Sequence, residues 1–511
     1  MSGFIHLNVA SAFSGHFGVT RPERMVEAAA AQGIQAAAIT DRDGLYGAVK
    51  HIGACLQLGI SPIVGVNLAV LDDSGNQLGR CVILAHGNNG GLGWAKLCKI
   101  VSVAHALPKA IKKQVGIARS ALADLLRDEG GCTVLLGPDS DVGLEVLAAN
   151  RSGAIEALEA WRACLKTPGT LAIEIVSHIT EPGTELSVIQ ARRMLQLADA
   201  TKTPAVLTNA VRYLEPDDAL TADVLDSARH LEALGLFKPQ PNAQAWLKPA
   251  SMMQSLAVEI TEDRDRALEL FSTTAKLARL CALDAVGDCD WGRPKTPEKA
   301  ALGIEGNPFE VLWQKAHAGI ERFYPRANDS LLTQVKHRLG QELITINKLG
   351  FATYFLTVAD VAQMIRDMGI RSQARGSGAG SLTNYLLGIS GVDPIEHDLL
   401  FERFLSVERS SLPDIDIDVE SARRHEIYRA IFKRYGSDRV TLLSMQSTYR
   451  GRGAMRDSGL ALGLDDEQID EIAKNMWRFS ARNFRGALGS KPELAEFATA
   501  VEEDRRMNLL V

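Results

Sequence analysis

Residues 412–420 read Leu-Pro-Asp-Ile-Asp-Ile-Asp-Val-Glu, and few runs restrict a backbone so tightly. Asp414, Asp416 and Asp418 alternate with Ile415, Ile417 and Val419, a period of two that suits a strand and no helix. On a strand, residues two apart share a face and lie about 6.5–7 Å from one another. The β-branched side chains then enter a core while three carboxylates crowd the opposite face. Like charges so placed repel unless a cation lies among them, and oxygen-only donors favour magnesium or manganese. An exposed acidic edge strand is the competing reading. A calcium loop fits poorly, because Val419 stands at the position of its glycine and His425 at that of its bidentate glutamate. The pattern predicts a metal-bearing strand.

With 511 residues the chain has length for roughly three domains. A net charge of −6 means that any contact with nucleic acid depends on local basic patches. The seven cysteines are scattered without a C-x-x-C pair, which argues against a zinc site or disulfide framework and for a reducing cytoplasm. Residues 1–9 lack the features of a signal peptide, and no run of about 20 apolar residues suggests a membrane span.

Up to about residue 285, short apolar runs at 36–40, 62–66, 81–85 and 205–208 read as strands. A helical pattern at 44–59 lies between the first two, so this part reads as an α/β layered or barrel domain. A helical tail at 261–282 closes it, and 286–299, with Trp291, Gly292 and two prolines, reads as a linker. A second unit, 300–445, holds helical patterns, a glycine-rich loop and the aspartate strand. From 446 to 511 the pattern is helical again.

The glycine-rich loop is Ala374-Arg375-Gly376-Ser377-Gly378-Ala379-Gly380-Ser381, running into a helical stretch at 382–387. Small residues before a helix let backbone N–H groups approach a phosphate, and the helix N-terminus adds a favourable dipole. Arg375 adds a charged donor. The loop lacks the Gly-Lys-Ser/Thr ending of a P-loop ATPase. A plain structural turn is the alternative, and the carboxylate strand nearby favours a triphosphate cradle. Arg403 and Arg409 lie between loop and strand. Arg450, Arg452 and Arg456 form a basic cluster suited to a DNA backbone, with solvated helix surface as the other reading.

The succession ARGSGAGSLTNYLLGISGVDP, LLFERFL, LPDIDID resembles the bacterial family C polymerases, the DNA polymerase III alpha subunits. The resemblance extends over essentially the whole chain. It implies a PHP-like α/β barrel domain (1–285), then a nucleotidyltransferase-type α+β palm (300–445) and a helical thumb-like region (446–511). It implies that Asp414 and Asp416 are catalytic and hold two Mg2+, with Asp418 a third acidic position that is not acidic throughout the family. Gly376 and Ser377 match the family's triphosphate-binding pair, and Arg375, Arg403 and Arg409 would offset phosphate charge. Primer–template DNA, deoxynucleoside triphosphates, a sliding clamp and replisome or mutasome subunits are the implied partners. Details at 371–375 and 418–421 are more similar to the error-prone branch than to the main replicase.

Two departures shape the expectation. The PHP family's His-x-His is here His6-Leu7-Asn8, its Thr-Asp-His-Gly is Thr40-Asp41-Arg42-Asp43, its Val-Gly-x-Glu ends in Asn67, and its last histidine is Arg212. Arginine cannot ligate a metal, so no metal is expected in this domain and a structural role is. His16, His86 and His178 read as ordinary surface or core histidines. The second departure is at the end: the family's third catalytic aspartate follows the thumb, and the chain stops at Val511. The expectation is therefore an N-terminal fragment whose metal site is incomplete. The rivals are a DNA-binding or assembly fragment without activity and, further off, a PHP-type phosphoesterase.

Overall fold

The computed structural model describes residues 3–106, 115–127, 130–167, 169–234, 236, 239–406, 412–443 and 447–475. They form two compact units, one of residues up to Trp291 together with those from 447 onward, the other of residues 292–443.

In the first unit seven strands make one mixed sheet: β1 (Ala36–Arg42), β2 (Ser61–Leu71), β3 (Gln77–Ala85), β4 (Gly116–Ala118), β5 (Cys132–Leu136), β6 (Leu171–Ile175) and β7 (Ala205–Leu207). Their order is β1-β2-β3-β5-β6-β7, with β4 paired to β2 off this path. The crossover from β1 to parallel β2 is the helix Ala48–Leu58, ended by Gly59 in a left-handed conformation with φ 68°. β3 runs antiparallel to both its neighbours, whereas β5, β6 and β7 are parallel. A regular βαβ barrel is thus interrupted by a hairpin, which the short stretch between β2 and β3 permits. The sheet is open. Its two ends are drawn together by the segment Asn8–Ala10, since Val9 accepts from Thr40 N at 2.8 Å while Ala10 N donates to Val211 at 2.8 Å.

Period-two alternation explains both faces of this sheet. Val64, Val66, Leu68 and Val70 of β2 join Cys81 and Ile83 of β3 in the larger core, against the surrounding helices. The other face carries Ala36, Ala38, Ile63, Val82, Leu84, Leu135, Ala172 and Val206, covered by Ala278 and Cys281 of the helix Arg264–Cys281. Further along most of these strands that same face turns polar: Thr40 and Arg42, Asn67, Arg80, Glu174 and Thr208. A polar layer therefore sits above an apolar one, at the C-terminal ends of the parallel strands.

The expected linker divides differently. Ala285–Cys289 is helical, Cys289 and Trp291 pack on the larger core, and the unit ends at Trp291. Asp288 makes this segment integral. Its buried carboxylate accepts from the backbone N–H of Asn88 (2.7 Å), Asn89 (3.2 Å), Gly91 (3.1 Å) and Asp284 (2.9 Å). The expected helical region from 446 is also placed differently from a thumb continuing the second unit. Its helices Gly451–Ala461 and Asp466–Asn475 pack within the first unit, where Leu234 N donates to Ala461 at 2.7 Å. Residues 476–511 lie outside the described residues.

The second unit is mainly helical. Helices Pro308–Phe323 and Asp329–Lys348 are started by Asn307 and Asn328, whose side chains accept from Phe309 N and Leu331 N. With Ala352–Asp367 they enclose Leu312, Leu339, Leu343, Phe355 and Phe404. Its sheet, among the described residues, is a two-stranded ribbon of β8 (Ser372–Arg375) and β9 (Asp416–Val419). No helix among the described residues is long and apolar enough to cross a membrane.

Burial pushes the Asp288 carboxyl up, but its four N–H donors prevail and hold it below the usual range. Such a group stabilises above its unfolded pKa of about 4, and the contribution is lost as pH falls through the lower folded value. Asp288→Ala should cost about 2–4 kcal/mol at pH 7, with a smaller difference from wild type below pH of about 3, in urea titrations at both pH values.

Candidate functional site

The ribbon presents the aspartates as the alternation requires. β9 pairs antiparallel with β8, and Arg375 faces Asp416 while Gln373 faces Asp418. Asp414, Asp416 and Asp418 are exposed, and the residues between them turn inward. Ile415 and Ile417 pack with Ala359, Ala362, Ala374 and Ile389, and Val419 packs beside Ile365 and Ile427. Asp414 precedes the strand, which begins at Asp416. Its position is fixed through its neighbour, since Tyr354 Oη donates to the Pro413 carbonyl at 2.8 Å. The Tyr354 hydroxyl is raised above its ordinary pKa by burial first, and then by the negative charges of Asp414 and Asp416. Arg375 Nε lies 3.4 Å from Asp418 Oδ1, both side chains being about two-thirds exposed, so this pair contributes little stability. Among the described residues no three His, Cys, Asp or Glu side chains converge closely enough to hold a metal.

Gly376 follows β8 with φ 71°, a left-handed backbone that glycine adopts without strain, and a Cβ there would stand 3.7 Å from Asp416 Oδ2. The loop therefore lies directly against the aspartate face. Its continuation differs from the sequence expectation in one respect. The N-terminus of the helix Leu382–Leu386 is already occupied from within the protein. Glu342, wholly buried, accepts from Leu382 N, Thr383 N, Ser381 Oγ and Thr383 Oγ1, each at 2.9 Å. Arg338 completes the arrangement, with Nε 3.2 Å from Glu342 and Nη2 donating to Gly380 O at 2.7 Å. A phosphate cannot also take those amides, so the loop's capacity for anions is confined to its start, at Arg375, Gly376 and Ser377. Glu342, Arg338 and Tyr354 lie in ordinary amphipathic helices, and nothing in their spacing marks them.

The other expected residues are separated. Arg403 is exposed on the turn Phe401–Arg403, anchored by buried Phe401 and Phe404. Arg409 lies outside the described residues. Arg450, Arg452 and Arg456 belong to the first unit, not to the unit of the aspartates. Arg450 is exposed just before the helix Gly451–Ala461, Arg452 Nε donates to Ala473 O at 3.1 Å, and Arg456 pairs with Asp470 at 2.7 Å. Exposed pairs of this kind are weak enough to exchange for phosphate.

In the polar layer of the first unit the residues do not suit a metal. Glu174 accepts from Asn8 Nδ2 (2.8 Å) and Thr208 Oγ1 (2.6 Å), and burial raises it to about 7 against those bonds. Asp41 is buried and taken up by Ser11 and Ser14. Arg80 Nε donates to Asn67 Oδ1 at 2.6 Å, and Arg212 pairs with Asp226 at 2.9 Å. The histidines are engaged singly: His6 with Lys248 O, His178 with Asn209 O, His86 with Thr133 Oγ1. Burial lowers each of these three to about 4.

Residues 6–178 match the family described as PHP domain, and residues 310–510 match the bacterial DNA polymerase III alpha NTPase domain. The error-prone DNA polymerase of Symbiobacterium thermophilum is 31% identical over 514 residues, covering 96% of this chain and 44% of that protein. The DNA polymerase III subunit alpha of Escherichia coli K12 is 31% identical over 513 residues, covering 98% of this chain and 42% of that protein. The chain belongs to the bacterial DNA polymerase III alpha family. It spans less than half the length of these relatives. The aspartate ribbon, the glycine loop and Glu342 fall within the DNA polymerase III alpha NTPase match, and the polar layer falls within the PHP match except for Thr208 and Arg212, which follow it.

Removing the Glu342 carboxylate leaves two buried N–H groups and two hydroxyls without their acceptor, and Arg338 without its counter-ion. Glu342→Ala should destabilise the second unit by about 3–5 kcal/mol, measured by chemical denaturation. A loss under about 1 kcal/mol would show that this carboxylate does not hold the loop.

Proposed function

We propose that this chain supplies the metal- and triphosphate-binding portion of a DNA-directed DNA polymerase. The reaction is template-directed addition of a deoxynucleotide to a primer 3′-hydroxyl with release of pyrophosphate. The reading rests on one observation above the rest: a left-handed glycine, Gly376, set against a strand that exposes alternate carboxylates. Residues 300–445 are assigned as palm, and the PHP domain as a structural element.

Asp414 and Asp416 offer hard carboxylate oxygens on an exposed face, a donor set that fits two Mg2+ ions, with Asp418 as an accessory position. Bound magnesium supplies activation of the hydroxyl and relief of charge on the leaving pyrophosphate. Gly376 and Ser377 receive the β- and γ-phosphates, and Arg375, Arg403 and Arg409 offset their charge. Arg375 is held near Asp418 by a weak exposed pair and can turn to a phosphate at little cost. Arg450, Arg452 and Arg456 are assigned to the duplex backbone. Clamp and further replisome or mutasome contacts belong to other parts of the polymerase, which works in the cytoplasm.

Two carboxylates leave the coordination of a two-ion site short, and a further acidic ligand is required. The 511-residue chain alone is therefore expected to bind nucleotide without extending a primer. In the full-length polymerase, Asp414→Ala should reduce primer extension to background while leaving the thermal midpoint unchanged. Near-normal extension by that variant would remove Asp414 from the site. Extension by the 511-residue chain would show instead that the site is complete within it.

A further inference from the structure

The polar layer of the first unit gathers four arginines. Arg42 ends β1, Arg80 lies on β3, Arg212 follows β7, and Arg229 is on the helix Ala219–His230. Three of the four meet around one aromatic ring. The guanidinium carbons of Arg42, Arg212 and Arg229 lie 3.5, 4.0 and 5.8 Å from the centre of Phe17. Arg212 and Arg229 share Asp226, each at 2.9 Å, and Arg80 pairs with Asp43 at 2.7 Å. Arg42 differs, because its Nε is buried with no hydrogen-bond partner.

A guanidinium whose Nε is buried without a partner, beside other arginines, is costly. Burial first, and then the charge of Arg80, pushes Arg42 down to about 9. The carboxylates whose charge reaches Arg42 are Asp139 and Glu185, and burial raises the pKa of both. The cluster sits at the C-terminal ends of parallel strands, where layered α/β folds place their ligands. Planar guanidinium groups at such a rim match the oxygens of a phosphate.

We infer that the arginine cluster of the PHP domain is an anion site that takes a phosphate group on Arg42, Arg80, Arg212 and Arg229 in place of metal. Two sources share that chemistry: a free inorganic anion and the terminal phosphate of a DNA strand. Phe17 serves as the platform that holds Arg42 and Arg212 in place, and Arg229, the most exposed of the four, stands at the entrance.

The test uses the 511-residue chain, titrated calorimetrically with inorganic phosphate, and with a short single-stranded oligonucleotide with and without a 5′-phosphate. Saturable binding of inorganic phosphate is expected, weakened at least tenfold by Arg42→Gln. Phosphate should raise the thermal midpoint of the wild type and not that of the variant. If Arg42→Gln does not fold, Arg229→Gln is read instead and should weaken binding at least threefold. A preference for the 5′-phosphorylated strand that disappears in these variants assigns the strand end as source, and its absence assigns the free anion. No saturable phosphate binding, or an affinity indifferent to both substitutions, overturns the inference. Asp414→Asn is predicted to leave phosphate binding here unaltered, which separates this site from the polymerase reading.

Discussion

The second unit is organised around a charge that has been removed from water. Glu342 is wholly buried, and burial raises its pKa, yet four donors from residues 381–383 and the adjacent Arg338 surround its two oxygens. A carboxylate costs several kcal/mol to desolvate, and an arrangement this saturated is how proteins recover that cost. The consequence is geometric. With the end of the glycine loop tied to the helix Asp329–Lys348, its beginning can be left open, glycine-rich and exposed beside Asp416 without the whole segment drifting.

How far this could be read from the chain depends on whether the signal was local. The aspartate strand was legible because period-two alternation is a property of consecutive residues, and Asp416, Asp418 and the inward Ile417 and Val419 lie as it requires. The glycine-rich loop was legible in part. Its glycines announced themselves, but the partner that fills the helix terminus comes from 40 residues upstream, at a position indistinguishable from any other helical glutamate. The strands β5 and β6 passed unnoticed, although they are short runs of buried apolar residues like those that were recognised. Runs of that length are ambiguous between strand and buried helix. The division between the units falls inside the expected linker, at Trp291, but Gly and Pro composition does not reveal that Asp288 and Trp291 dock, because that depends on the loop at 88–91 and on the distant core.

In the PHP domain the family comparison and the geometry bear on each other. Thr40, Arg42, Asn67 and Arg80 share one face of the sheet through period-two alternation, while Asn8 and Arg212 reach it from the segments flanking the bridge Val9–Val211. Polar residues retained at that rim, such as Asp41 and Glu174, are absorbed into hydrogen bonds with serine, threonine and asparagine.

The first unit is discontinuous, and this bears on how the chain comes into being on the ribosome. Its sheet is drawn together by Val9 meeting Val211, partners about 200 residues apart, and its outer helices at 451–475 follow the whole of the second unit. At synthesis rates of about 5–20 residues per second, the strap at Val9 waits on the order of 10–40 s for its partner, with a sheet edge unpaired. The second unit, by contrast, is continuous and can close as soon as it emerges. The core of the second unit can then close before the first unit receives the helices at 451–475, although the sheet and strap of the first unit are synthesised earlier.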